Sequence, residues 1–312
     1  MTLHIIEPVR ASLHGHFSVD LAPILTAASG DTLRFRTLDG GWGLEPPRTD
    51  GSPRRLVEPR DPRLDSGHAL CGPVAVRDAE PGMVLEIGIE AIEPGPWGWT
   101  RAGGWKSPWN ERLGVADGVE HLVVWTLDPR TATARDPHGR AVPIRPFMGV
   151  IGMPPPEPGI HSTIPPRNWG GNMDCKELVA GSRLLLPVPV RGALLSTGDG
   201  HAAQGDGEVS GLAIECPMDR VDLSLKLHDD IELDFPVAET PAGTIALGFG
   251  ATLDDAEAGA LEGMLRILMA RLGVSRKHAL ALASVAVDLR ITQVVNGTVG
   301  AHAVLPPGAL RA

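Results

Sequence analysis

The sequence predicts a mainly β protein, a sandwich or barrel with a small α+β part and two C-terminal helices. Three observations carry that expectation. Runs with period-two alternation recur along the chain, 38 glycines and 29 prolines cut the runs apart, and the helical stripes that stand out lie after residue 250. Alternating βαβ units are therefore not expected. In chain order, Thr32-Leu33-Arg34-Phe35-Arg36 alternates polar and apolar residues as a half-buried strand does. Val84-Leu85-Glu86-Ile87-Gly88-Ile89 follows, with Leu85, Ile87 and Ile89 on one face. Leu122 to Leu127, Leu184 to Val190, Ile214-Glu215 and Val221 to Leu227 continue the series. Thr252 and Asp255 then resemble a capping box with Asp in place of Glu, and Leu261, Met264, Leu265, Leu268 and Leu272 form a helical apolar stripe. Gly273 is placed to end that helix, and Ser275 to cap a second one running to about Ala286. The pair reads as a hairpin packed on a sheet. No charged or Ser-rich linker divides the chain, so residues 1–312 are expected to form one unit, with any subdivision near 145 and 240.

Bulk properties narrow the function. The 312 residues are 43% hydrophobic and 21% charged, a globular composition. The net charge of −10, with no stripe of Lys or Arg, argues against a nucleic-acid partner. The first residues lack a signal-peptide pattern, and no run of about 18 apolar residues suggests a membrane span. Cys71, Cys175 and Cys216 are too few and too scattered for a disulfide framework or a zinc knuckle. A cytoplasmic location is expected.

Two segments hold more polar and small residues than a core strand tolerates. In Gly170-Gly171-Asn172-Met173-Asp174-Cys175-Lys176-Glu177-Leu178, Asn172 and Asp174 can point at one ligand, or can bond to their own backbone in an Asx turn. Thr197-Gly198-Asp199-Gly200-His201-Ala202-Ala203-Gln204-Gly205-Asp206-Gly207-Glu208-Val209 puts one His, three acids and a Gln among small neighbours. Imidazole beside carboxylates suits a divalent ion such as zinc, and the spacing matches neither an EF-hand nor a phosphate loop. The bland alternative is a Gly-rich surface hairpin with solvated acids. His14 and His16, two apart on an expected strand, would face the same way and could share an ion. Trp97, Trp99, Trp105 and Trp109 crowd an expected loop from Pro94 to Asn110, as a lid over a pocket, a subunit contact or a sugar platform.

Gly170 to Leu178, Leu186-Pro187-Val188-Pro189-Val190 and Gly198 to Glu208 together resemble the acetamidase/formamidase family. The resemblance extends to Ser66-Gly67-His68-Ala69-Leu70-Cys71-Gly72-Pro73, to Ala79-Glu80-Pro81-Gly82 and to Asp288 through Asn296, and so covers nearly the whole chain. It implies a mostly β fold, a homodimer or higher homo-oligomer, a divalent metal (zinc or calcium), and hydrolysis of short amides to carboxylate and ammonia. One position departs from it: many members carry His directly before Gly-Gly-Asn, where this chain has Trp169.

Neither Gly-x-Ser-x-Gly nor a Ser-x-x-Lys pattern is convincing, which leaves metal-activated water as the expected nucleophile. His16, Asp174 and His201 are the expected metal ligands, with Asp199 in reserve. Glu208 is the expected proton carrier, with Asp206 as its substitute. Asn172, Gln204 and Trp169 are expected at the substrate. The rival from another class is a non-catalytic, metal-containing β-sandwich that binds a small amide or sugar, separable from the enzyme by ammonia release.

Overall fold

The computed structural model describes residues 1–311, and their strands form two sheets. One sheet has nine strands in the order Leu3–Ile6, Thr32–Thr37, Met218–His228, Val84–Pro94, Ser182–Pro187, Val237–Thr240, Gly243–Gly250, Val299–Leu305 and Asp288–Gln293. It interleaves strands from before residue 145, from between 145 and 240, and from after 240. In the second sheet Ala141–Pro143, Thr133–Arg135, His121–Asp128, Trp97–Ala102, Glu215–Cys216, Leu195–His201, Phe147–Gly152 and Gly170–Asn172 lie side by side. Leu70–Val76 pairs with Leu195–His201 and carries Leu13–His14 and Leu25–Ala27. The pairings are antiparallel except where Leu3–Ile6 meets Thr32–Thr37 and Leu25–Ala27 meets Leu70–Val76.

The expected mainly β architecture is what forms. Leu33 and Phe35, Leu85, Ile87 and Ile89, and Leu223 and Leu225 turn inward from the nine-stranded sheet. They join Val74, Phe147, Met148 and Leu195 of the second sheet in one buried cluster. Each such side chain removed from water contributes about 1.5–3 kcal/mol before entropy is counted. The Leu184–Val190 run leaves the sheet at Pro187, because Pro187 and Pro189 have no N–H for the ladder. Ile214-Glu215 pairs one residue later, as Glu215–Cys216.

The two C-terminal helices run from Leu253 to Leu272 and from Arg276 to Ala286. Asp255 N–H donates to Thr252 Oγ1 at 3.2 Å at the first cap, and His278 N–H donates to Ser275 Oγ at 3.4 Å at the second. Gly273 ends the first helix with φ 63°, the left-handed value that costs a glycine nothing. The helices cover the outer face of the nine-stranded sheet, where alternation puts Ala246, Ala301 and Ala303 opposite Ala256, Ala260, Met264 and Leu268. Small residues let the layers approach closely; a Cβ on Gly248 would collide with the backbone of Ala256 and Ala260. Leu272, expected in the stripe, is exposed at the helix end.

One sequence expectation changes and one alternative falls away. Pro94–Asn110 is not a loop: it holds the strand Trp97–Ala102 and the start of a short helix, Pro108–Arg112. The polar Thr197-Gly198-Asp199-Gly200-His201 run is not a surface hairpin either. It lies in the strand Leu195–His201, buried at all seven positions. Glycines make that burial possible, since Gly198 lies against the Ala69 carbonyl and Gly200 against Met218.

Candidate active site

Leu195–His201 brings Asp199 and His201 to one end of the second sheet. The turn after Gly170–Asn172 brings Asp174 there, the loop beyond His201 brings Glu208, and the neighbouring strand brings Glu215. Asp174, Asp199 and His201 each offer a ligand atom within 4.8 Å of the others, and so do His201, Glu208 and Glu215. All five side chains are buried. Asp174 (φ 50°), Asp199 (φ 59°) and Glu208 (φ 46°) adopt left-handed backbone that non-glycine residues seldom take. Such strain, at about 1–3 kcal/mol for each residue, persists only where surrounding structure enforces it.

Unpartnered polar atoms converge here. His201 Nε2 lies 3.3 Å from Glu215 Oε1 and 3.4 Å from Asp199 Oδ2 without a directed hydrogen bond to either. Asp174 Oδ1, Glu208 Oε2 and Asn172 Oδ1 are also buried without partners. The remaining atoms of these groups are held: Asn296 Nδ2 donates to Asp174 Oδ2 at 2.6 Å, and Asn172 Nδ2 to the Ile164 carbonyl at 3.0 Å. Gln204 bridges the site from behind, with Oε1 at 3.0 Å from His201 Nδ1 and Nε2 donating to the Asp174 carbonyl at 2.8 Å. Gly149 closes the floor. A Cβ there would stand 2.8 Å from Asp174 Oδ1, 2.8 Å from Asp199 Oδ2 and 2.9 Å from His201 Cε1.

Four carboxyl groups around one imidazole are an excess of negative charge in a dry place. Burial, reinforced by Asp199, lifts Asp174 to about 6 and Glu215 to about 8. Burial and Asp174 push Glu208 well above the ordinary carboxyl range. Asp199 goes the other way: burial opposes its charge, but His68 and His201 hold it below the usual carboxylate value. His201, which burial would lower, is raised well above 6.5 by Glu215 and Asp199. One nitrogen and several oxygens, short of positive charge and with buried lone pairs free, form a donor set that a divalent cation satisfies.

The cluster faces a cavity of about 440 Å³ walled by Trp42, His68, Trp99, Arg101, Asn172 and Asn296. Its wall is braced by Asp39, fully buried, which accepts from Trp99 Nε1 at 2.7 Å, Arg54 Nη1 at 2.6 Å and Gly43 N–H at 2.6 Å. His68 Nε2 reaches to 3.8 Å from Asp199 Oδ2 while Nδ1 pairs with Thr163 Oγ1 at 3.0 Å. Such a pocket, polar on one wall and aromatic on another, is suited to a small polar ligand.

The sequence profile of the Acetamidase/Formamidase family matches residues 6–161 and 157–241. The chain belongs to that family. An acetamidase from Mycolicibacterium smegmatis is 30% identical, in an alignment that covers 63% of this chain and 61% of that protein. A formamidase from Methylophilus methylotrophus is 28% identical over 64% of this chain and 60% of its own length. The chain thus aligns with about three fifths of each relative. A crystal structure of an acetamidase from Bacillus halodurans superposes with a TM-score of 0.82 at 28% identity, covering 97% of both chains.

Within this acetamidase/formamidase chain the residues expected from sequence separate into two groups. Asp174, Asp199, His201 and Glu208 fall in the ligand cluster, and Asp199, Glu208 and Asn172 line the cavity. The others lie elsewhere or are already engaged. His16 is not among the clustered ligands: the chain bends after His14, His16 Nδ1 pairs with the Leu64 carbonyl at 2.9 Å, and His14 is taken by Ser196 Oγ at 2.9 Å. Asp206 is exposed and 2.9 Å from Lys176 Nζ. Both ends of the Gln204 amide are used inside the protein, so it positions His201 and does not face the cavity. Trp169 packs half-buried against the core, outside the cavity lining. Glu215, His68, Asn296 and Gly149 carried no chemical signal of their own in the sequence. His68 and Asn296 did fall in family-like segments, whereas Glu215 sat in an ordinary short strand.

Proposed function

We propose that this acetamidase/formamidase-family protein hydrolyses the C–N bond of a small carboxamide, giving carboxylate and ammonia, at the cavity lined by Asp199, Glu208 and Asn172. The observation that carries this reading is the convergence of buried, unpartnered donors and acceptors on one small cavity. The donor set fits a divalent ion, with Asp174, Asp199 and His201 as ligands and zinc favoured over calcium because imidazole is among them. Such an ion would polarise the amide carbonyl and lower the pKa of water from about 16 to roughly 7.

The protein's own groups supply the rest. Asn172 Oδ1, an acceptor without a partner, takes an N–H of the substrate amide and so selects the amide over an ester. His68 Nε2, opposite, is the donor nearest a carbonyl oxygen bound beside Asp199. Glu208, buried and raised well above the ordinary carboxyl range, exchanges a proton at Oε2 and delivers it to the departing nitrogen, which leaves as ammonia. Asn296 and Gln204 hold Asp174 and His201 in register. Trp99 and Trp42 keep bulk water from the wall behind them.

Purified protein is expected to release ammonia from at least one short amide, to lose that activity to a chelator and to regain it with zinc. No turnover across formamide, acetamide, propionamide and small lactams would overturn the reading. The proposed homo-oligomer is supported by the large apolar side chains left exposed beyond the short helix, Leu113, Val115 and Val119. Light scattering of the purified chain tests it, and a monomer at micromolar concentration would count against it. No helix among the described residues is long and apolar enough to cross a membrane.

A further inference from the structure

The catalytic cavity adjoins a second hollow of about 660 Å³, and six residues, His68, Arg101, Ile164, Gly211, Leu212 and Asn296, line both. Beyond that neck the wall carries Trp105, Trp109, Val209, Val294, Val295 and Val299, with Ser107, Asn110 and Ser210 among them. Several polar groups here are already engaged: Asn110 Nδ2 donates to the Trp105 carbonyl at 2.9 Å and Ser210 Oγ to the Leu212 carbonyl at 3.2 Å. Trp109 Nε1 donates to the Val294 carbonyl at 3.2 Å, and Arg101 is held by Glu120 at 3.1 Å and stacks on Trp105 at 5.5 Å from the ring centre. Ring faces and methyl groups are the larger part of what the hollow offers a ligand. Ile164, Trp109 and Val209 stay 46%, 39% and 69% exposed around the rim.

A formamide or acetamide has only three or four non-hydrogen atoms, and hollows of several hundred cubic ångströms ordinarily take far larger ligands. Contacts made by the non-reacting part of a substrate can be used to raise kcat/KM, so a lined hollow beyond the reacting carbonyl acts on specificity. Resting on the amidase reading above, we propose that the preferred substrate is a primary carboxamide whose acyl chain ends in an apolar, ring-sized group. The carboxamide sits at Asn172 and Glu208, a short aliphatic linker passes Arg101, and the ring lies between Trp105, Trp109 and Val295. The reaction stays balanced as amide plus water giving carboxylate and ammonia; only the acyl group changes. An anionic tail would have to compete with Glu120 for Arg101, whose Nη1 donates to Glu120 at 3.1 Å.

The test is a series of amides read by ammonia release: acetamide, butyramide, 3-phenylpropionamide, and a carboxylate-bearing amide of matched length. Burying one ring in an apolar hollow predicts kcat/KM for 3-phenylpropionamide about 30- to 100-fold above that for acetamide. Trp109→Ala should reduce the ratio of the two by roughly tenfold, and Trp109→Phe should keep most of it. Val209→Asp, at a rim position that tolerates a charge, should lower the same ratio without unfolding the protein. Acetamide turned over as well as the phenyl compound would overturn the proposal and leave the amidase reading standing. A clear preference for the carboxylate-bearing amide would overturn it in favour of the arginines. Inactivity on every amide would remove the underlying reading as well.

Discussion

Gly149→Ala adds one methyl group to the floor of the candidate site, at a residue outside both polar segments. The new carbon would stand 2.8 Å from an oxygen of Asp174, 2.8 Å from an oxygen of Asp199 and 2.9 Å from a ring carbon of His201. Ordinary contact begins near 3.4 Å, so each group must retreat by about 0.5–0.6 Å. None can do so freely. Asp174 is tied to Asn296, His201 to Gln204, and all three side chains are buried. Overpacking of this kind typically costs about 1–3 kcal/mol, which in a chain of this size lowers Tm by roughly 2–10 °C. The effect on chemistry should be larger than on stability, because a misplacement of about 1 Å can cost roughly 100-fold in rate. A 10- to 100-fold loss of kcat/KM and a weaker metal complex are expected. The control is Gly205→Ala in the family-like segment itself, where a Cβ meets nothing within 4 Å and φ lies outside the left-handed region. Calorimetry, ammonia release and metal titration on both variants give the answer. Full activity and an unchanged Tm in Gly149→Ala would refute the tight convergence of Asp174, Asp199 and His201 on which the functional argument depends.

Three further outcomes are expected. His201→Ala should lower metal content and activity together, whereas Glu208→Gln should keep its metal and lose roughly 10²–10⁴-fold in turnover; metal analysis beside kinetics separates the roles, and a fully active Glu208→Gln would discard Glu208 as the proton carrier. His302, fully buried, is lowered from 6.5 to about 4 because burial outweighs the pull of Asp206 and Glu177. The unfolded chain therefore takes up this proton first as pH falls from about 6.5 to 4, and stability drops by about 3 kcal/mol across that window, levelling off below it. Denaturant titrations of wild type and His302→Gln should converge or cross by that amount between pH 7 and 4, and parallel curves would contradict the assignment. Arg54→Met leaves the Asp39 carboxylate buried with two backbone or indole donors and no charge partner, for a loss of about 3 kcal/mol. A Tm within about 2 °C of wild type would show that Asp39 does not need its arginine.

The sequence by itself determined the fold class, because period-two runs cut by glycine and proline can bury one face only as sheets. The helix ends were equally local: Thr252, Gly273 and Ser275 act on atoms within four residues of themselves. Asp174, Asp199, His201 and Glu208 were legible as candidates because polar and small residues are dense there and fall in the family-like segments, although an Asx turn or a surface hairpin would use the same residues. Only the tertiary structure decided which of them meet. Whether Asp206 turns to Lys176 while Glu208 turns inward depends on the paths of chains far apart in sequence. His16, two residues from His14, was drawn away by a bend and by the Leu64 carbonyl, neither of which a spacing rule contains. Glu215, His68 and Asn296 reach the cavity from separate parts of the chain. Gly149 matters only for what surrounds it. Proximity across a sheet is a property of strand order, and strand order is set by packing the whole chain rather than by any one segment.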